Sequence, residues 1–129
     1  MNKRILVVED HEDNRRILRD LLTSAGCEVI EAVTGEDGIA LAESRRPALI
    51  LMDLRLPVLD GYEATRCIKA NPALSRIPII AVSSYALSGD DVQAFEAGCD
   101  AFISKPFSPR ELLAKIREYL PWIAIGRTS

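Results

Sequence analysis

Five polar side chains mark the ends of apolar runs in this 129-residue chain. Glu9 and Asp10 follow Ile5-Leu6-Val7-Val8, and Asp53 follows Ala48-Leu49-Ile50-Leu51-Met52. Ser83 follows Ile79-Ile80-Ala81-Val82, and Lys105 comes just after Ala101-Phe102-Ile103 and Ser104. Asp53 stands at the edge of the core, where a carboxylate without a partner is costly. Gathered carboxylates repel one another, which raises their pKa values and destabilises the fold unless a cation neutralises them. A hard divalent ion with oxygen ligands fits such a cluster, and Mg²⁺ suits a site of few carboxylates and several waters. Lys105 is then a partner for the anion, or for a phosphate added to it, and Ser83 can hydrogen-bond a phosphoryl oxygen. The chemistry these types support together is phosphoryl transfer to an aspartate. Each residue has a plainer role when taken alone, as a helix cap, a turn former or a surface lysine. Their coincidence selects the chemical reading.

For that coincidence to matter, the five must meet in space, so the elements around them decide. The apolar runs are short and continuous, as strands buried on both faces are. Cys27 to Ala32 forms a weaker strand between the first two. Helical spacing fills the intervals. Asp13 to Ala25 carries Ile17, Leu18, Leu21 and Leu22, with Gly26 as a stop. Glu36 to Arg45 is capped by Thr34 and closed by Pro47. A loop with Pro57, Asp60 and Gly61 leads into a helix over Tyr62 to Ala70. Ser88 and Asp91 form a capping box for a helix ending near Gly98. Ser108-Pro109-Arg110-Glu111 starts the last helix, whose apolar face is Leu112, Leu113, Ile116 and Leu120 and whose end is set by Pro121. Strands and helices alternating in this way imply a parallel sheet covered on both faces, with right-handed crossovers. Ligands of such sheets bind beyond the carboxyl ends of the strands, where the five residues lie. The second strand offers nothing comparable there.

Composition narrows the class. Apolar residues make up 48% of the chain and charged residues 27%, a balance that supports one core and argues against disorder. The net charge of −3 is scattered, with no basic patch, so a nucleic-acid partner is not expected. No apolar run approaches the roughly 20 residues of a membrane span, and no signal core opens the chain. Cys27, Cys67 and Cys99 are odd in number and widely spaced, which reads as reduced core thiols of a cytoplasmic protein.

Four signatures in order connect the chain to a known family. They are Ile-Leu-Val-Val-Glu-Asp at 5–10, Leu-Ile-Leu-Met-Asp-Leu-Arg-Leu-Pro-Val-Leu-Asp-Gly at 49–61, Ile-Ile-Ala-Val-Ser-Ser-Tyr-Ala at 79–86 and Gly-Cys-Asp-Ala-Phe-Ile-Ser-Lys-Pro-Phe at 98–107. The chain resembles the receiver domain of two-component response regulators, of the single-domain chemotaxis and cell-division kind. The resemblance implies a flavodoxin-like (βα)5 sandwich with strand order 2-1-3-4-5, an order known for this fold. It implies a receiver domain over 1–121 and a short tail over 122–129. Asp53 is then the phosphoacceptor, forming 4-aspartylphosphate. Asp10, Asp53 and the backbone carbonyl of Arg55 are metal ligands, and Glu9 acts through a metal-bound water. The metal is Mg²⁺, with Mn²⁺ as a substitute. Ser83 and Lys105 hold the phosphoryl group, Lys105–Pro106 is a cis peptide, and Ser83 and Phe102 form the switch.

Three departures qualify that resemblance. Glu9 replaces the aspartate most often found first in the acidic pair. Phe102 replaces a tyrosine, so no ring hydroxyl takes part in the switch. Arg55 and Tyr85, bulky residues at positions that modulate phosphate lifetime, lead us to expect slow autodephosphorylation. The expected protein is not a turnover enzyme, since it catalyses only its own phosphorylation and dephosphorylation. Its expected partners are a histidine kinase or histidine phosphotransfer protein, and a target on the face of the fourth helix, fifth strand and fifth helix. No nucleic acid or membrane is expected.

Rival readings fit the residues less well. A haloacid-dehalogenase-type phosphatase would place an acid where Arg55 stands. A flavin protein would need a phosphate cradle where Glu9-Asp10-His11-Glu12-Asp13 stands. A receiver-fold binding module working without phosphorylation remains an alternative, as does a receiver excised from a hybrid kinase, although the start at Met1 suits a stand-alone form. His11, the only histidine, reads as a solvated loop residue in preference to an extra metal ligand.

Overall fold

The computed structural model describes residues 1–83 and 89–123. Strands and helices alternate throughout: β1 (Arg4–Val8), α1 (Glu12–Ser24), β2 (Glu28–Ala32), α2 (Gly35–Arg45), β3 (Leu49–Asp53), α3 (Gly61–Ala70), β4 (Ile79–Ser83), α4 (Asp90–Ala97), β5 (Ala101–Ser104) and α5 (Pro109–Arg117). The strands form one parallel sheet in the order β2-β1-β3-β4-β5, the flavodoxin-like arrangement expected from the family resemblance. Among the described residues no helix is long and apolar enough to cross a membrane.

The continuous apolar runs become strands buried on both sides, because alternate residues feed two separate cores. Leu6, Val8, Ile50, Met52, Ile79 and Ala81 pack beneath Ala42, Ala64, Ile68 and Ala94 from α2, α3 and α4. Ile5, Val7, Leu49, Leu51, Ile80 and Val82 face Leu18, Leu22, Leu112, Leu113 and Ile116 from α1 and α5. Trp122 and Ile123 close the bottom of this second core.

Local chemistry sets the helix starts. The Thr34 hydroxyl accepts from the Asp37 N–H, and Asp60 accepts from the Glu63 N–H. Ser108 and Glu111 exchange both bonds of a capping box, at 3.1 and 2.7 Å. Ser88 lies outside the described residues; α4 starts after Gly89, which has φ 85° and contributes no side-chain cap. The C-terminal expectation for α5 needs correction. The helix ends at Arg117, ahead of Pro121, because the N–H groups of Glu118 and Tyr119 turn back to Lys115 and Ile116, three residues earlier. Leu120 nevertheless keeps its buried place.

The thiols also need correction. Cys27 and Cys99 are buried, but Cys67 lies on the solvent side of α3. Its type is common in cores, but its position in the helical repeat points it outward.

Far from the strand exits, Lys69 fastens α3 to the start of β4. Its ammonium donates to the carbonyls of Ser75 (3.1 Å) and Ile77 (2.9 Å) and to Asp100 Oδ2 (2.9 Å). That carboxylate oxygen also accepts the Ile79 N–H at 2.8 Å. Lys69→Met would leave two carbonyls and a carboxylate without this donor, so urea denaturation should show a loss of roughly 2 kcal/mol with the circular dichroism spectrum retained. The thiols give a second test. Burial pushes Cys27 and Cys99 up to about 11, so neutral alkylation of the native chain should modify only Cys67. Denaturation should expose all three, and Cys67→Ser should abolish the native reaction.

Candidate functional site

Sheet register assembles the site. Val8 pairs with Met52, so the next residues outward, Glu9 and Asp53, emerge side by side. Asp53 pairs with Val82 and Ser83 with Ser104, which brings Ser83 and Lys105 to the same edge. The Lys105 N–H donates to the Ser83 carbonyl at 2.8 Å, and the Lys105–Pro106 bond is cis. Gly61 lets α3 settle on the exit of β3. A Cβ there would collide with the Asp53 carbonyl and come within 2.7 Å of Leu54 Cα.

Among the described residues Glu9 and Asp53 are the buried acids, 2% and 6% exposed. Glu9 Oε2 accepts the His11 main-chain N–H at 3.1 Å, while Glu9 Oε1 faces the Lys105 ammonium at 3.3 Å. Burial opposes the Glu9 charge, but the His11 N–H and Lys105 outweigh it, and the carboxyl sits below its ordinary range. Asp53 moves the other way, up to about 6. Burial is the main cause and the Glu9 charge adds to it, with partial relief from Lys105 and from the Arg55 N–H, which donates to Asp53 Oδ1 at 3.1 Å. One ammonium therefore serves two buried acids.

Asp10 adds a third. Its Oδ1 atom is buried and accepts no hydrogen bond. His11 Nδ1 stands 3.3 Å from it and 3.4 Å from Glu9 Oε2, although the ring itself is exposed. These donors lie close enough together to share one ion. Hard oxygen donors, an orphaned carboxylate oxygen and excess negative charge all fit a divalent cation. His11, read from sequence as solvated, is solvated and also borders the acids.

The other expected residues sit as follows. Ser83 is buried at the tip of β4. The Phe102 ring is half-buried against the core beneath α2, α3 and α4. The Arg55 side chain is exposed, and Tyr85 lies outside the described residues. An apolar cavity of about 520 Å³ opens beside Glu9 and Lys105, walled by Ile17, Leu18, Pro106 and Phe107. Sequence reading missed Arg15 and Glu31. Arg15 bonds the main chain of the acidic pair, and Glu31 gives β2 a share in the site that its apolar run did not suggest. Neither stands at the end of an apolar run, the one signal that marked the others.

The Asp53 shift predicts a pH dependence in metal-free protein. The carboxyl titrates near 3.8 when unfolded and near 6 when folded. Between those values the folded state keeps a proton that the unfolded state has released. The stability this group contributes is thus full below about pH 4 and is lost as pH rises through about 6. In EDTA near neutral pH, Asp53→Asn should therefore be more stable than the parent by on the order of 2 kcal/mol, with the gap closing on acidification toward pH ~4. Thermal melts across that range would contradict this if the variant were no more stable than the parent at neutral pH.

Comparison with known proteins places the chain. The family model for the response regulator receiver domain matches residues 5–117. The polar-differentiation response regulator DivK of Brucella anthropi is 41% identical over 120 residues, spanning 93% of this chain and 98% of DivK. The receiver domain of the sensor histidine kinase PA1611 from Pseudomonas aeruginosa PAO1, solved with a magnesium ion coordinated in its active-site cleft, is 39% identical with a TM-score of 0.88. The alignment covers 94% of this chain and 99% of that domain. The chemotaxis protein CheY4 of Vibrio cholerae is 24% identical and shares the fold, with a TM-score of 0.87 over 92% of this chain and 99% of CheY4. A sheet that gathers acids at its strand exits, a match across nearly all of its length and relatives this similar lead to one assignment: the chain belongs to the response regulator receiver domains and is a phosphoacceptor signalling protein of the two-component type.

Proposed function

We propose that Asp53 is the carboxylate that accepts the phosphoryl group. The observation that carries this reading is geometric: Asp53, 6% exposed at the end of β3, stands level with buried Glu9, which holds the Lys105 ammonium at 3.3 Å, and burial raises the Asp53 pKa. Such a carboxylate stands in an environment made for added cationic charge and for a phosphate that brings Lys105 across to it. One Asp53 oxygen attacks phosphorus in a phosphohistidine. A carboxyl O–P bond forms, the P–N bond breaks, and the imidazole nitrogen leaves with the bonding pair. The donor is a histidine kinase or histidine phosphotransfer protein, and the apolar cavity beside Lys105 supports its approach there.

Asp10, Asp53, the Arg55 main-chain carbonyl and, through water, Glu9 would hold Mg²⁺ or Mn²⁺, which when bound supplies charge to offset that developing on the phosphoryl oxygens. Lys105 exchanges its Glu9 partner for a phosphoryl oxygen. The Ser83 hydroxyl donates to another, and the Phe102 ring follows Ser83 inward, favouring an active conformation already present as a minor state. The protein acts on itself only, taking phosphate from small donors as well and losing it slowly. The free thiols support a reducing, cytoplasmic setting. Exposed Val92 and Phe95 on α4 support a protein target on the α4–β5–α5 face.

Incubation with acetyl phosphate and Mg²⁺, followed by intact mass, tests the reading. The native chain should gain one phosphate and keep it beyond a few seconds. Asp53→Asn should gain none at that position, and EDTA should abolish the gain. An unmodified native chain that also fails to bind beryllofluoride would refute the assignment.

A further inference from the structure

The acidic turn between β1 and α1 is held from behind by an arginine. Arg15, in the first turn of α1, has a side chain only 15% exposed. Its Nη1 donates to the main-chain carbonyl of Glu9 at 3.1 Å and approaches that of Asp10 at 3.4 Å. Its Nε donates to Glu31 Oε1 on β2 at 3.3 Å. Glu31 is fixed in turn by Arg19, whose Nη1 reaches both carboxylate oxygens at 3.1 and 2.9 Å. The Glu9 N–H also donates to the Ala32 carbonyl at 3.0 Å, so β2 grips the same turn through its main chain.

We infer that Arg15 is a positioning residue for the metal site, with Glu31 and Arg19 as its anchor. This rests on the proposed role of the acidic pair. Glu9, Asp10 and Asp53 repel one another, and an unrestrained turn would relieve that repulsion by swinging Glu9 and Asp10 outward. Arg15 resists through the main chain and leaves the carboxylate oxygens available. A planar guanidinium can bridge carbonyls and a carboxylate in one fixed geometry, whereas a lysine ammonium is a single point on a flexible stem. Glu31 balances the Arg15 charge, so the guanidinium is not drawn onto Glu9 or Asp10. Partners behind metal ligands commonly govern affinity in this way.

Two roles for Arg15 predict opposite signs. As a mere positive charge near the site it repels a divalent cation, and its removal would tighten binding. As a positioning residue its removal loosens binding. Isothermal titration of Mg²⁺ into the full chain separates the two, with melting temperatures measured alongside. Arg15→Met and Arg15→Lys should each weaken Mg²⁺ affinity by about tenfold, since lysine keeps the charge but not the fork. Glu31→Gln should weaken it less, and Glu31→Gln should melt within a few degrees of the parent. Should Arg15→Met fail to fold, Arg15→Lys and Glu31→Gln carry the test. Native-like or tighter binding by Arg15→Met, or full rescue by lysine, would overturn the clamp and leave the acidic site standing. A native chain that takes up no Mg²⁺ would overturn the site and the clamp together.

Discussion

Two carboxylates, Glu9 and Asp53, are buried beside each other at the exit of the central strands, with the Lys105 ammonium held 3.3 Å from Glu9. Bringing like charges out of water is unfavourable, and a fold would normally avoid it. Here the cost is divided unevenly. Glu9 keeps its charge because a main-chain N–H and Lys105 favour the ionised form, and Asp53 is left with the raised pKa. An acid in that condition has much to gain from a divalent ion and from conversion to a phosphorylated form that can draw on Lys105. On the proposed function, the electrostatic deficit in the resting protein is the source of its responsiveness.

The rest of the molecule keeps that arrangement from relaxing. Parallel register fixes Glu9 level with Asp53, and two independent cores hold β1, β3 and β4 from both faces. Gly61 admits α3 so close to the end of β3 that the loop after Asp53 has little room to shift. From the other side, Arg15 and Glu31 tie the acidic turn to α1 and β2. Close-packed interiors pass small displacements to their neighbours without absorbing them. Ser83 and Phe102 lie on the adjoining strands β4 and β5, and Phe102 packs on the same core as Ala94 of α4.

The alternation of strand and helix, the two-sided burial of the strands, the caps at Thr34 and Ser108 and the candidates Glu9, Asp10, Asp53, Ser83 and Lys105 were all legible in the sequence. These depend on neighbours in the chain, through apolar periodicity, capping geometry and the place where an apolar run stops. Three kinds of fact were not legible. The outward face of Cys67 depends on how α3 is rolled against the sheet. The early end of α5 depends on hydrogen bonds that compete within its last turn. The clamp of Arg15 on the acidic turn joins α1 to β2 across sixteen positions of sequence.

The sequence by itself therefore determined which elements form and which residues stand at their ends, because those are matters of local pattern. Tertiary structure alone decided that Lys105 would face Glu9, ninety-six positions away, that Asp10 Oδ1 would be buried without a hydrogen bond, and that Asp53 would bear the raised pKa and Glu9 the lowered one. Those outcomes follow from desolvation and from charge separations of a few ångströms, which exist only once the sheet has set its register.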